Sequence, residues 1–192
     1  MSKYTIKIER DEHPINPREN YDNLGTMICI PVHYGDKHNL SVEEANDIEI
    51  DKNNIWLPIY IYSHSGETIS TTPFSCPWDS TRLGLIYVTK EQLRKEYNVE
   101  ELTQDIIDKA HKMLQGEVET QDAYIRGDCY CYVIEDEDGE VVESCGGYLG
   151  DEDYCRKDAE DMVNYLVERD RTVRQMQVKA YIKNNVPLER RK

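Results

Sequence analysis

Apolar and polar residues alternate with period two in the first half of the chain, and the period lengthens to that of a helix after about residue 89. Tyr4, Ile6 and Ile8 against Thr5, Lys7 and Glu9 predict a half-buried strand over 3–9. Residues 10–25 are polar, carry Pro14, Pro17 and Gly25, and read as loop. Residues 26–34 are apolar and β-branched, with Pro31 confining them to a sheet edge or a bulge. Gly35, Asp36 and Lys37 predict a turn. Ser41 followed by Glu44 forms a capping-box pattern that opens a short acidic helix over 42–47.

Residues 55–62 predict a strand with Ile55, Leu57, Ile59 and Ile61 on one face and Trp56, Tyr60 and Tyr62 on the other. Pro58 implies that one side of this strand is unpaired or bulged. Ser65-Gly66 turns the chain into a β-branched return over 68–72, and a third strand follows at 83–88. Thr89 with Gln92 is a second capping box, for a helix over 90–97. Thr103 caps a longer helix, with Ile106, Ile107, Ala110, Met113, Leu114 and Val118 at helical spacing to about residue 124, before Gly127-Asp128 breaks it.

Segments 129–135 and 140–148 flank Asp136-Glu137-Asp138-Gly139, a hairpin signal. Ala159, Met162, Val163, Leu166 and Val167 make 151–169 amphipathic, and 169–192 continues as a basic helix or tail that Pro187 ends. The pattern predicts an α+β fold: a mostly antiparallel sheet, two larger helices and an inserted acidic hairpin, in one domain over 1–168 with the basic tail at 169–192. No G-x-G-x-x-G or P-loop supports a parallel nucleotide-binding sheet.

Composition concentrates the bulky residues. The stretch 54–88 holds both tryptophans (Trp56, Trp78) and the single phenylalanine, Phe74, while fourteen tyrosines are spread over the chain. The expected arrangement has Pro73 and Pro77 tucking Phe74 and Trp78 into the core. At 192 residues the chain is long enough to bury a sizeable core. The first residues lack an apolar signal-peptide core and no run approaches a membrane span, so the six cysteines are expected as thiols in the reducing cytoplasm of a bacterial host, away from membranes.

Charge sharpens the picture. Net charge is −15, and residues 96–161 carry 21 acidic against 5 basic side chains, while 169–192 carry 8 basic against 2 acidic. Such a field repels nucleic acid and attracts basic surfaces. Carboxylates at Glu100, Glu101, Asp105 and Asp108, continued by Glu117, Glu119 and Asp122, by the hairpin tip Glu135, Asp136, Glu137 and Asp138, and by Asp151, Glu152 and Asp153, read as a stripe approximating the charge density of a nucleic acid.

Other constellations are weaker. Cys129 and Cys131 share one strand face, Cys145 lies on the returning strand, and Cys155 joins them only if the following helix folds back over the sheet. The spacing does not match a zinc knuckle, so neither metal nor cofactor is expected. His13, His33, His38 and His111 form no ligand pattern. The run 135–140 lacks the spacing of a calcium loop. His64, Cys76 and Asp79 supply the residue types of a small cysteine- or metal-dependent enzyme.

The strings YDNLGTM (21–27), SHSGETISTTPFSCPWDS (63–80) and GLIYVTKEQLRKEY (84–97) resemble a family of uncharacterised bacteriophage and mobile-element proteins, and the likeness extends over most of 20–154. The resemblance implies a phage accessory protein and no activity. Together with the charge it sets the expectation of a non-enzymatic, acidic inhibitor. Its partner would be a basic, nucleic-acid-binding host protein, such as a restriction or CRISPR effector, without direct contact to nucleic acid. The alternatives are the His64/Cys76/Asp79 enzyme and a regulatory homodimer formed through the tyrosine-rich sheet.

Overall fold

The computed structural model describes residues 3–36, 42–76, 78–185, 187 and 190. The predicted capping residue Ser41, His38, Lys37 and Pro77 lie outside them. The chain divides into two compact units, one built from residues 1–11 and 130–192 and the other from 12–129. The strands pair antiparallel, and the helices and antiparallel sheets make an α+β fold.

In the unit of residues 12–129 the sheet order is β2 (Thr26–Cys29), β5 (Ser80–Thr89), β3 (Asn54–Ser63), β4 (Glu67–Ser70). Pro31 acts as its position suggests: β2 stops at Cys29 on the sheet edge, and Val32–Tyr34 form a 3₁₀ turn. Pro58 sits beyond the end of β4, whose ladder with β3 spans only Tyr60 to Ser63, and a register shift at Ile59/Tyr60 interrupts the β3–β5 ladder. Both alternatives that Pro58 implied are therefore present. Gly84 is the point of closest approach between β5 and β2, where any Cβ would come within 1.9 Å of the Ile28 carbonyl oxygen.

Helix α4 (Gln104–Ile125) covers one sheet face. Its Ala110, Leu114 and Val118 join Met27, Ile59, Ile86 and Val88 in the main core. Leu85 points to the other face, where it lines a hollow with Ala45 and Glu49 of α2 (Val42–Ile50), a helix one turn longer than its pattern predicts. Both capping expectations in the second half hold. Thr89 and Gln92 cap α3 (Lys90–Tyr97) reciprocally, and Thr103 accepts from the Ile106 N–H to start α4.

The predicted loop 10–25 contains a one-turn helix, α1 (Pro17–Asn20), started by the Asn16 side chain and by proline at its first position. It aims Arg18 inward, where the side chain is 2 % exposed. The guanidinium donates to both oxygens of Asp36 (2.8 and 2.9 Å), to Glu117 on α4 (2.7 Å) and to the Gly25 carbonyl (2.7 Å). Glu117 in turn accepts the Leu24 and Gly25 N–H groups, and Asp36 accepts the Met27 N–H. A second carboxylate on α4, Asp122, accepts from Thr68 Oγ1 and from the Ile69 N–H, covering part of edge strand β4.

In the unit of residues 1–11 and 130–192, β6 (Cys129–Glu135) is the central strand, between β1 (Thr5–Arg10) and β7 (Val141–Leu149). Helix α5 (Glu152–Asn185) packs across it, burying Cys155, Ala159 and Leu166 against Tyr4, Tyr132 and Ile134. Asp170 anchors the first strand by accepting from Lys3 (2.5 Å) and from the Tyr4 hydroxyl (2.7 Å). These bonds hold its carboxyl at about 2. From residue 169 to Asn185 the basic segment is the uninterrupted continuation of α5.

Two stability outcomes follow from this packing. Arg18→Met leaves Asp36 and Glu117 facing each other without their counter-charge, and should cost about 3 kcal/mol or more in urea denaturation. Gln121 on α4 is fully buried, and neither its amide oxygen nor its nitrogen has a hydrogen-bond partner. Gln121→Met should therefore stabilise the fold by about 1 kcal/mol in the same measurement.

Candidate functional site

The folding of residues 12–129 brings together the three side chains of the enzyme alternative. His64 sits in the β3–β4 turn, and the connection from β4 to β5 folds back over it, closed by the Ser63 N–H donating to the Asp79 carbonyl (2.9 Å) and by the Ser80 hydroxyl donating to the Cys76 carbonyl. Tyr62 lies 5.7 Å from the Phe74 ring and 6.4 Å from the His64 ring, giving the connection a small aromatic footing. Trp78 does not join it. Contrary to the expected tucking into the core, Trp78 is 92 % exposed, because the bond at the Asp79 carbonyl and the Ser80 hydroxyl's bond to the Cys76 carbonyl hold the loop with residue 78 turned to solvent.

The order of contacts decides what this cluster can do. Asp79 Oδ2 is 3.3 Å from Cys76 Sγ and 3.9 Å from His64 Nδ1. The carboxylate stands at the thiol, where a cysteine nucleophile needs an imidazole. The neighbour of the thiol is a carboxylate, not the electropositive group found beside a catalytic cysteine. The His64 side chain is itself mostly exposed. The residues converge, but not in the order that nucleophilic catalysis requires.

The other cysteines do not assemble a metal site: among the described residues no group of three or more His, Cys, Asp or Glu could hold a metal ion. Three residues, Glu137 to Gly139, form the loop closed by the Asp136 N–H on the Glu140 carbonyl, with Gly139 at φ 81°. A loop of even length sets Cys145 opposite Tyr130 or Tyr132 on the other face, and one of odd length sets it near Cys129 and Cys131. Instead a Cβ at Gly146 would lie 3.4 Å from Cys131 Cβ, so the register has slipped by one before that point and Cys145 turns to the other face, toward Tyr148. There the Tyr148 hydroxyl donates to Asp158 (2.5 Å); burial and this bond raise its pKa. Helix α5 does fold back over the sheet, and Cys155 is buried there, its thiol pushed up to about 11 chiefly by burial.

The acidic stripe resolves into two kinds of carboxylate. Glu117 and Asp122 face inward and carry the bonds described above, so they leave the surface array. At the hairpin tip Glu135 pairs with Lys7, and Asp136 accepts the N–H groups of Asp138 and Glu140 to hold the turn. Glu137 and Asp138 remain exposed at that tip. In the unit of residues 12–129, Glu100, Glu101, Asp105, Asp108 and Glu119 are exposed. Asp105 pairs with Lys109 one turn on, and Asp108 accepts from Gln104. The helical faces belong to the unit of residues 12–129 and the hairpin tip to the other unit.

Two features of the site escaped the sequence reading. Arg18 lies in a stretch that reads as loop, and its only signal was Asn16-Pro17, a cap followed by proline at a first helical position. The exposure of Trp78 has no counterpart in the pattern, since a tryptophan between apolar strands ordinarily counts toward the core. Among the described residues no helix is long and apolar enough to cross a membrane. No family model, curated protein or solved structure matches this chain.

The thiol environments set an order of reactivity. Alkylation with iodoacetamide should modify exposed Cys145 first and Cys76 without enhancement. Buried Cys29, whose thiol burial pushes up to about 12, and buried Cys155 should react last. Peptide mass spectrometry over a time course reads this order, and Cys76 reacting ahead of Cys145 at neutral pH would restore the nucleophile reading.

Proposed function

We propose that this chain is a non-catalytic binding protein that occupies a basic, nucleic-acid-binding surface of another protein. The observation that supports this reading is the distribution of charge after folding. Residues 12–129 hold 21 acidic and 10 basic side chains, a net of −11. The inward-facing carboxylates Glu117 and Asp122 are satisfied by local donors, which leaves Glu100, Glu101, Asp105, Asp108 and Glu119 as the outward array. Fixed carboxylates on a helix and its leading loop offer a basic groove the sign of charge that a phosphate backbone offers. The hairpin tip, through Glu137 and Asp138, adds a second acidic point.

The phage-type resemblance supplies a setting for this chemistry, an accessory protein that blocks a host restriction or CRISPR effector in the bacterial cytoplasm. The inverted order of contacts around Cys76 favours binding over catalysis at the remaining polar cluster.

Capture from bacterial lysate by the tagged chain, at low and at high salt, tests the reading. One nucleic-acid-binding protein, retained at low salt and released at high salt, is the expected result. Charge reversal at Glu100, Glu101, Asp105 and Asp108 should weaken its affinity by about tenfold or more, mainly through slower association. Retention unchanged by both the reversal and the salt would sink the electrostatic mechanism.

A further inference from the structure

We infer that α5 is a homodimerisation element, in which two copies of this chain pair their α5 helices antiparallel about a two-fold axis near Glu168 and Arg169. The first observation is that the helix outruns its own core. Its last residue in the buried cluster is Leu166, and every described residue of α5 from Arg171 onward is exposed, including Val173, Met176 (64 %), Val178, Tyr181 and Ile182. A fifteen-residue helix without a packed face is marginal in water, so this arm needs a covering surface.

The second observation is charge, and it identifies the cover. Over 152–170 the helix carries seven acidic and three basic residues, a net of −4, and over 171–185 it carries four basic residues and no acidic one, a net of +4. Two arms meeting each other, or two helices running parallel, would place like charges together. An antiparallel pair along the whole of α5 opposes residues 171–185 of each copy, net +4, to residues 152–166 of the other, net −3, and α5 is the same self-complementary surface on both subunits, as a two-fold interface requires.

The third observation is a stripe on the solvent side of the helix. Tyr154, Asp161, Tyr165, Glu168, Thr172 and Met176, continued by Lys179 and Lys183, are exposed along one line of the helix, and Asp158, half-buried where it accepts from Tyr148, lies at the edge of that line. At its middle, Tyr165, Glu168, Arg169, Thr172, Val173 and Met176 line a shallow groove of about 370 Å³. With the two-fold axis there, Tyr154 meets Lys183 of the partner subunit and Asp158 meets Lys179 of the partner subunit. Tyr165 packs beside Thr172 of the partner subunit, and Glu168 faces Arg169 of the partner subunit. Tyr165 fills the centre, Met176 lies beside Asp161 of the partner subunit, and Lys179 beside Asp158 of the partner subunit supplies an opposite-charge pair on each side of the axis.

Light scattering on the full chain should give twice 22.5 kDa at low salt. Lys179→Glu with Lys183→Glu should raise the dimer dissociation constant at least tenfold, and Tyr165→Glu with Met176→Glu should give 22.5 kDa with the circular dichroism of the sheet retained. A photo-crosslinking residue at position 183 of the otherwise native chain supplies a second readout. Its crosslink should fall on the peptide around Tyr154 of a second copy. A mass of 22.5 kDa at every attainable concentration, a crosslink from 183 to 183, or capture of nucleic acid or a different protein by the arm in place of a second copy would overturn the antiparallel dimer.

Discussion

The buried guanidinium of Arg18 is the constraint around which residues 12–129 are arranged. Five residues of irregular chain, from Tyr21 to Gly25, have no ladder to satisfy their backbone groups, and a buried loop without partners is costly. Arg18 recruits Asp36 and Glu117 into one network, and those carboxylates accept the N–H groups of Leu24, Gly25 and Met27. Segments far apart in sequence thereby share one electrostatic knot. A buried ion network of this kind adds little net stability compared with an apolar core of the same volume, but losing one member strands the others. Its role is to select one arrangement of loop, edge strand and helix over its competitors.

The other unit is held by simpler means. One long helix buries small residues, Cys155 and Ala159, against Tyr132 and Ile134, and the first strand is secured at its outer end by Asp170. Small helix residues let α5 lie close to the sheet, and tyrosines fill the remaining depth while keeping their hydroxyls on polar partners such as Asp158 and Asp170. The same helix then extends about as far again beyond its last core residue, so one element serves first as core and afterwards as an exposed arm.

Charge has two distinct uses in this protein. Some carboxylates are structural: Asp36, Glu117 and Asp122 replace missing backbone partners, and Asp136 shapes a hairpin turn. Others, such as Glu101, Glu137 and Asp138, meet solvent. Counting acidic residues along the chain merges the two kinds. Only the second kind contributes an outward field with which a basic surface can associate.

Local physics was legible in the sequence. The capping boxes and caps at Thr89 and Thr103, the period-two alternation of β1 and β3, the Asp-Gly hairpin and the restriction of β2 by Pro31 all depend on neighbours within a few residues, and each took its expected form. Tertiary structure decided everything that needed a partner distant in sequence. Arg18 looked like a loop residue because Asp36 and Glu117 are 18 and 99 positions away. Glu117 looked like surface charge because its acceptor role depends on a loop 92 positions earlier. The face of Cys145 was open in the sequence because one slip of register exchanges the faces of a strand. His64, Cys76 and Asp79 were identifiable by type and do meet, but the order of their contacts, and with it their chemistry, was set by how one loop closes over a turn. The sequence by itself determined the elements and the sign of the field, since both are sums over local residues. The assignment of each charged or aromatic side chain to core, turn or surface required the fold, because burial is a property of what lies opposite.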